Sequence, residues 1–210
     1  GSVEVARGPQ IMSQRTDTIC AGSSLRIGIS IYTISGTFRD TLKSFQGCDS
    51  IVLTRLTVNA PLQYTLTSNN PLCSGQNNGS ITVSNLNGKQ PYVYELNGRR
   101  INGLKADNLS SGNYTIKVTD GFGCYTEKGS SLSNPQKLEL DAGKDTLLQF
   151  GDSIVLRAFT NITSNEIKSL TWSSDQGSIC TNCSTTTLRP KKDIAIKVEL
   201  ENTLGCKIID

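Results

Sequence analysis

One dipeptide recurs three times and constrains the fold more than any other feature: Gly47-Cys48, Gly123-Cys124 and Gly205-Cys206. Each copy follows a polar, turn-like stretch. Each precedes a short run that can form a closing β-strand. Successive copies lie 76 and 82 positions apart. That spacing suits small β-sandwich domains in tandem and not helical repeats. The expectation is an all-β chain of three tandem small antiparallel β-sandwich domains.

Bulk properties agree. A length of 210 residues accommodates two or three small domains better than one. Hydrophobic residues make up 36%, which suits several half-exposed sheets better than one large core. Domains this small need staples, and seven cysteines could supply them. The net charge of +3 is spread along the chain. Arg99-Arg100 and Lys191-Lys192 read as solvated turns, so no nucleic-acid partner is expected. No stretch approaches the roughly 20 apolar residues of a membrane-spanning helix. Gly1-Ser2 reads as a cloning scar and the chain as an excised fragment. Histidine is absent, which removes His-based triads, general bases and metal ligands.

Residues 1–60 form the first expected domain. Val3-Glu4-Val5 reads as the tail of a preceding strand. Thr18-Ile19-Cys20-Ala21-Gly22 leads to strand-like Ser24 to Ile29. Thr37 to Leu42 alternates, and Ile51 to Val58 reads as an apolar closing strand. The run through Cys20-Ala21-Gly22, Ser35-Gly36-Thr37-Phe38-Arg39-Asp40-Thr41-Leu42 and Gly47-Cys48-Asp49-Ser50-Ile51-Val52 resembles a repeat of giant secreted surface proteins of Bacteroidetes. Phe38 stands where that pattern favours Tyr.

Residues 61–135 form the second. Asn78-Gly79 opens the strand Ser80 to Val83. Pro91 to Leu96 alternates, and Asn97-Gly98 signals a tight hairpin, because both central residues of a type I′ turn need positive φ. Asn113 to Thr119 is a further strand. Cys73, Gly75, Gly79 to Val83, Pro91-Tyr92, Tyr94, Asn97-Gly98, Gly112, Tyr114-Thr115, Val118-Thr119-Asp120 and Gly123-Cys124 together resemble the SprB repeat of gliding adhesins from the same phylum.

Residues 136–210 form the third. Asp152 to Ala158 and Ile194 to Leu200 read as strands, and Trp172 as a core anchor. Asp152, Trp172-Ser173, Cys180-Thr181-Asn182-Cys183, Pro190 and Gly205-Cys206 are similar to the PKD-like, immunoglobulin-like domains that precede the secretion signals of such proteins. Those continue past the final Asp, so the last strand reads as truncated. Phe150 stands where the family often has the cysteine that partners the closing one.

Symmetry between the first two domains suggests the pairs Cys20–Cys48 and Cys73–Cys124. Cys180–Cys183 is a candidate local disulfide. One C-x2-C without a second pair or a His does not make a zinc site. Cys206 is then a free thiol or a partner of Cys180 or Cys183. This many candidate bridges points to an oxidising, extracellular location, and the resemblance implies export by the type IX system.

Catalytic motifs are missing: no Walker loop, G-x-S-x-G elbow or H-E-x-x-H is present. No enzyme activity is expected. Asp40, Asp49, Asp120, Asp145 and Asp152 fall in turns or strand starts, where Asp commonly binds nearby amides. No cofactor is implied; calcium at such carboxylates, Asp120 first, is the one ion the pattern admits. Tyr92, Tyr94 and Tyr114 could form a sugar-stacking face or fill a core. Five tripeptides have the form Asp-Ser/Thr-aliphatic, with hydroxyls at Thr18, Thr41, Ser50, Thr146 and Ser153. They resemble the O-glycosylation sequon of Bacteroidetes secreted proteins, and turn-then-strand grammar accounts for the same residues. Asn-x-Ser/Thr triplets at Asn78, Asn108, Asn113, Asn161 and Asn182 carry little weight in a bacterial context.

The expectation is a non-catalytic segment of a secreted or outer-membrane-attached surface adhesin, acting as a stalk and spacer. Its partners would be a surface polysaccharide or a protein on another cell, and the outer-membrane secretion and attachment machinery through other parts of the parent protein. Short junctions at Asn59-Ala60-Pro61 and Asn134-Pro135-Gln136 suggest a semi-rigid rod. The alternative is a carbohydrate-binding accessory module of a secreted polysaccharide-degrading enzyme.

Overall fold

The computed structural model describes residues 11–43 and 49–210. Val3-Glu4-Val5 and Gly47-Cys48 lie outside them. Among the described residues the regular structure is β-strand, apart from one 3-10 turn at Ser164–Glu166.

The first stretch holds β1 (Ile11–Cys20), β2 (Leu25–Ile27), β3 (Ser30–Tyr32), β4 (Gly36–Leu42) and β5 (Ser50–Asn59). β2 and β3 form a small hairpin; the main sheet has the order β1-β5-β4. β5 is its centre and buries Ile51, Val52, Thr54 and Leu56. β4 runs antiparallel to β5, but β1 runs parallel to it, with Ile11 opposite Ser50 and Cys20 opposite Asn59. This corrects the expectation that every pairing is antiparallel. The chain between β1 and β5 makes a crossover, and a crossover permits parallel pairing. Residues 11 to 16 of β1 are all exposed, so that stretch carries no apolar alternation to announce a strand.

The next stretch holds β6 (Thr65–Asn69), β7 (Gly79–Ser84), β8 (Val93–Leu96), β9 (Arg99–Ile101), β10 (Lys105–Leu109), β11 (Gly112–Thr119) and β12 (Tyr125–Leu132). Two sheets form, β10-β7-β6 and β12-β11-β8-β9. Their inward residues alternate as the pleat requires: Ile81 and Val83 on β7, Ile116 and Val118 on β11. The β8–β9 hairpin turns on Asn97 and Gly98, both at positive φ (48° and 75°), which is the type I′ signature. Tyr64, only 2% exposed, donates its hydroxyl to the Ile116 carbonyl at 2.6 Å.

The last stretch holds β13 (Leu140–Asp141), β14 (Ile154–Arg157), β15 (Phe159–Thr160), β16 (Ile167–Ser174), β17 (Gly177–Thr181), β18 (Thr185–Leu188), β19 (Ile196–Asn202) and β20 (Lys207–Ile209). The main sheet, β17-β16-β19-β20, is antiparallel, and two-stranded sheets β13-β15 and β14-β18 accompany it. Trp172, Leu170, Val198 and Leu200 form its core, with Trp172 fully buried. The Trp172 indole N–H donates to the Cys183 carbonyl at 2.8 Å, the partner that a buried indole requires.

Contacts divide the chain into two compact units. One spans residues up to Thr67, Ile81–Ala106 and Asn113–Ser130; the other spans Ser68–Ser80, Asp107–Gly112 and Ser131–Asp210. The division runs through β6, β7, β10, β11 and β12.

The parallel relation of first and last strands recurs. Thr126 donates to the Leu62 carbonyl, Lys128 to the Tyr64 carbonyl, and the Ser133 amide to Asn70 Oδ1, so β12 advances in the direction of β6. In the last stretch the Ala142 amide donates to Asp210 Oδ2, while Gln136, Lys137 and Leu138 lie about one depression with Cys206 and Ile208.

Candidate functional site

The cysteines are the most organised feature of the molecule. Cys20 bonds Cys124, Cys73 bonds Cys206, and Cys180 bonds Cys183. This replaces the expected Cys20–Cys48 and Cys73–Cys124 pairs, and Cys206 is not a free thiol. The parallel pairing gives the reason. Cys20 ends β1, whereas β5, which follows Cys48 in the chain, begins opposite Ile11. That is the far end of a ten-residue strand, about 30 Å away. Cys73 likewise lies beyond the end of β6, while Cys124 precedes the start of β12, near Leu62. In each case the opening cysteine is carried to the end opposite its own closing strand. Each long bond lies within one compact unit.

The sequence around each bonded cysteine builds its turn. The Cys20 carbonyl accepts from the Ser23 amide at 3.0 Å and the Cys73 carbonyl from Gln76 at 3.1 Å. The closing cysteines sit in side-chain-bracketed corners. Asp120 Oδ1 accepts from the amides of Phe122 and Cys124, both at 2.9 Å. Asn202 Oδ1 accepts from Leu204 at 3.1 Å and Cys206 at 2.8 Å. The backbone closes alike: Asp120 N to Cys124 O at 2.8 Å, and Asn202 N to Cys206 O at 2.9 Å. Gly123 and Gly205 stand at φ +82° and +84°, a conformation that L side chains rarely adopt. That is why glycine precedes cysteine in both corners. Asn202 was not singled out in the sequence; its offset of four residues from a Gly-Cys, matching Asp120, is the signal that marks it.

Asp120 is thus fully engaged by backbone. It is buried, and Oδ2 accepts a third amide, from Lys89 at 3.4 Å. Among the described residues no group of three or more acidic, His or Cys side chains is placed to hold a metal. Asp40 is buried too and accepts the Tyr32 hydroxyl at 2.7 Å. Its other oxygen and the buried Thr54 hydroxyl have no partner among the described residues.

The proposed glycan acceptors are placed unequally. Thr18, Thr41, Thr146 and Ser153 are exposed, whereas Ser50 is half-buried at the start of β5. Asp145-Thr146-Leu147 is presented most openly: it lies between β13 and β14, and Leu147 is fully exposed. Thr41 follows an aspartate turned into the interior.

The tyrosines do not make a flat platform. Tyr94 is buried, and its ring is inclined 48° to that of Tyr92. Burial holds the Tyr94 and Tyr64 hydroxyls above the usual tyrosine range. Tyr92 donates to the Gly88 carbonyl at 3.0 Å, and Tyr114 is half-buried. A shallow depression of about 270 Å³ is lined by Glu139, Asp141, Phe159 and Asn161. Asp141 accepts the Gly143 amide there, and Asn161 accepts the Glu139 amide. These groups serve the local backbone.

Known proteins resemble the chain in part. A SprB repeat is found at residues 65–99. No curated protein matches the chain. Among solved structures, the Clostridium thermocellum CbhA fibronectin(III)-like modules are 13% identical, with 70% of this chain and 90% of that one covered, at a TM-score of 0.31. An I-band fragment of titin is 11% identical over 93% of this chain and 94% of that one, at 0.37. A three-immunoglobulin-domain titin variant is 11% identical over 95% and 94%, at 0.36. The strand content and sheet pairing described above establish the all-β fold of this chain, and the SprB match is confined to the stretch from β6 to the start of β9.

Proposed function

We propose that this chain is a non-catalytic segment of an extracellular adhesin, exported by the type IX system and attached at the outer membrane. It serves as stalk and spacer. The observation that carries the reading is the SprB repeat at residues 65–99, set in a chain whose long disulfides require an oxidising compartment. The residues 1–60, 61–135 and 136–210 act as three successive structural repeats of the stalk. The adhesive partner, a surface polysaccharide or a protein on another cell, is met by the parent protein as a whole. Thr18, Thr41, Thr146 and Ser153 are the acceptors best placed for O-linked glycans, and Ser50 is the least accessible.

An in-frame deletion of the segment from its parent protein tests the reading. Antibody to the segment labels intact cells of the native host, and the deletion weakens cell attachment to a polysaccharide-coated surface while the remaining protein still reaches the surface. Labelling that requires cell lysis, or polysaccharide cleavage by the purified segment, would overturn it. Intact mass of the segment from the native host reads the glycans; an unmodified mass ends that part.

A further inference from the structure

The two long disulfides overlap without nesting. Cys20–Cys124 encloses a separation of 104 residues and Cys73–Cys206 one of 133. Cys73 lies inside the first loop, and Cys124 lies inside the second. Besides the chain itself, Cys20 and Cys206 are therefore joined covalently by three routes. One follows the chain from Cys20 to Cys73 and crosses the Cys73–Cys206 bond. Another crosses Cys20–Cys124, runs back along the chain to Cys73, and crosses the same second bond. The third crosses Cys20–Cys124 and continues forward to Cys206. The first two contain about 50 residues each and the third about 80, against roughly 190 for the unbridged chain.

We propose that this crossed pair is a covalent extension limiter for a chain under tension. With every sheet pulled apart, Cys20 and Cys206 can separate by about 180 Å, where the unbridged chain would reach about 650 Å. The bonds also divide the work. Both short routes pass through Cys73–Cys206, so that bond sets the limit. Cys20–Cys124 adds the second route, which is matched in length to the first. Tension then divides between the stretch from Cys20 to Cys73 and the stretch from Cys73 to Cys124, which contains the SprB repeat. The pairing by symmetry expected from sequence, with Cys20–Cys48 and Cys73–Cys124 in series, would leave about 110 residues free to extend and no alternative route. The usefulness of a limiter rests on the stalk reading above; the limit itself follows from which cysteines are joined.

Single-molecule pulling of the full chain, held by handles at its two ends, tests the proposal. Four samples are compared at complete unfolding: the oxidised chain, the same chain in reductant, Cys20→Ser with Cys124→Ser, and Cys73→Ser with Cys206→Ser. Removing both partners leaves no stranded thiol from the deleted bond, and the fully unfolded length does not depend on how well a variant folds. Relative to the oxidised chain, loss of Cys20–Cys124 changes the length by less than about 10 Å. Loss of Cys73–Cys206 adds about 110 Å, and reductant adds about 470 Å. The series pairing predicts the reverse order, about 280 Å for the first double variant and about 180 Å for the second. That order, or an oxidised chain as long as the reduced one, overturns the proposal. These lengths are read on the isolated chain, so they stand or fall apart from the attachment experiment.

Discussion

The corner at Asp120–Cys124 and the corner at Asn202–Cys206 have one backbone and two different side chains. In both, a single Oδ1 accepts two amides, a glycine at φ above +80° turns the chain, and a disulfide cysteine follows. Because Asp and Asn build the same corner, the shared acceptor oxygen defines it and the charge does not. The difference lies in the other terminal atom. Asp120 Oδ2 accepts the Lys89 amide, so this corner also holds down the chain before β8. Asn202 carries an N–H donor group at that position and does not make the equivalent bond. Both corners reach a neighbouring turn through the backbone, Gly121 N to the Lys89 carbonyl at 2.6 Å and Thr203 N to the Glu166 carbonyl at 2.8 Å, and the Asp120 side chain adds a further bond to its own.

The disulfides offer the largest test of how alike the corners are. Cys124→Ser and Cys206→Ser should each lower stability by about 2–4 kcal/mol. The loop lengths of 104 and 133 residues predict a difference between them of only about 0.2 kcal/mol by closure entropy. Urea unfolding under non-reducing conditions measures both. A variant that loses nothing would show its corner to be held by the side-chain bracket alone.

Removing the bracket should separate the corners. Asp120→Ala strands three amides next to a buried site and should cost about 2–3 kcal/mol. Asn202→Ala strands two, at a more open position, and should cost about 1–2 kcal/mol. Equal losses in the same urea assay would mean that the Lys89 contact contributes nothing.

These corners also show what a sequence can and cannot disclose. Gly-Cys was legible as punctuation, because a positive-φ residue before a strand has few alternatives to glycine. Asn97-Gly98 and Trp172 were legible for equally local reasons: backbone conformation in one case, the need to bury a large ring in the other. Strand direction was not. The run from Ile51 to Val58 has the same apolar pattern whether its neighbour is parallel or antiparallel. The neighbour, β1, displays six exposed residues in succession and no pattern at all. One unseen direction displaced both disulfide assignments, since it decides which end of a sheet each cysteine occupies. Asn202 was overlooked because it ends an apolar strand and looks like ordinary turn composition; only comparison with Asp120 reveals its role.

Exchanging the side chains isolates the second atom. Asp120→Asn keeps Oδ1 and replaces Oδ2 by a donor facing the Lys89 amide, so it should cost about 1 kcal/mol and no more. Asn202→Asp keeps the whole of its corner and should be neutral within about 0.5 kcal/mol. Hydrogen exchange at the Lys89 amide sharpens the point: it should accelerate in Asp120→Asn, while the amides of Phe122 and Cys124 remain protected.

The smallest expected effect concerns acid. β19, which leads into the Asn202 corner, carries an exposed ladder of ion pairs, where β11, which leads into the Asp120 corner, carries the looser pair Lys117–Glu95 at 3.7 Å. Lys207 donates to Glu199 at 3.1 Å and Lys168 to Glu201 at 2.6 Å. The hydrogen bond from Lys207 holds Glu199 below its ordinary value of 4.5, and that from Lys168 does the same for Glu201. A depressed carboxylate contributes stability that is fully present above its unfolded-state value and is lost as pH falls through the folded one. The urea midpoint should therefore be level from pH 8 to about pH 5.5 as far as these groups are concerned, and decline below about pH 4.5. All four side chains reach solvent, so the decline should be shallow and should weaken in high salt. Lys207→Met should reduce the acid slope while leaving the Asp120→Ala loss unchanged, because the two side chains share no bonding partner. A slope that Lys207→Met leaves intact would place the acid sensitivity elsewhere, on carboxylates outside the ladder.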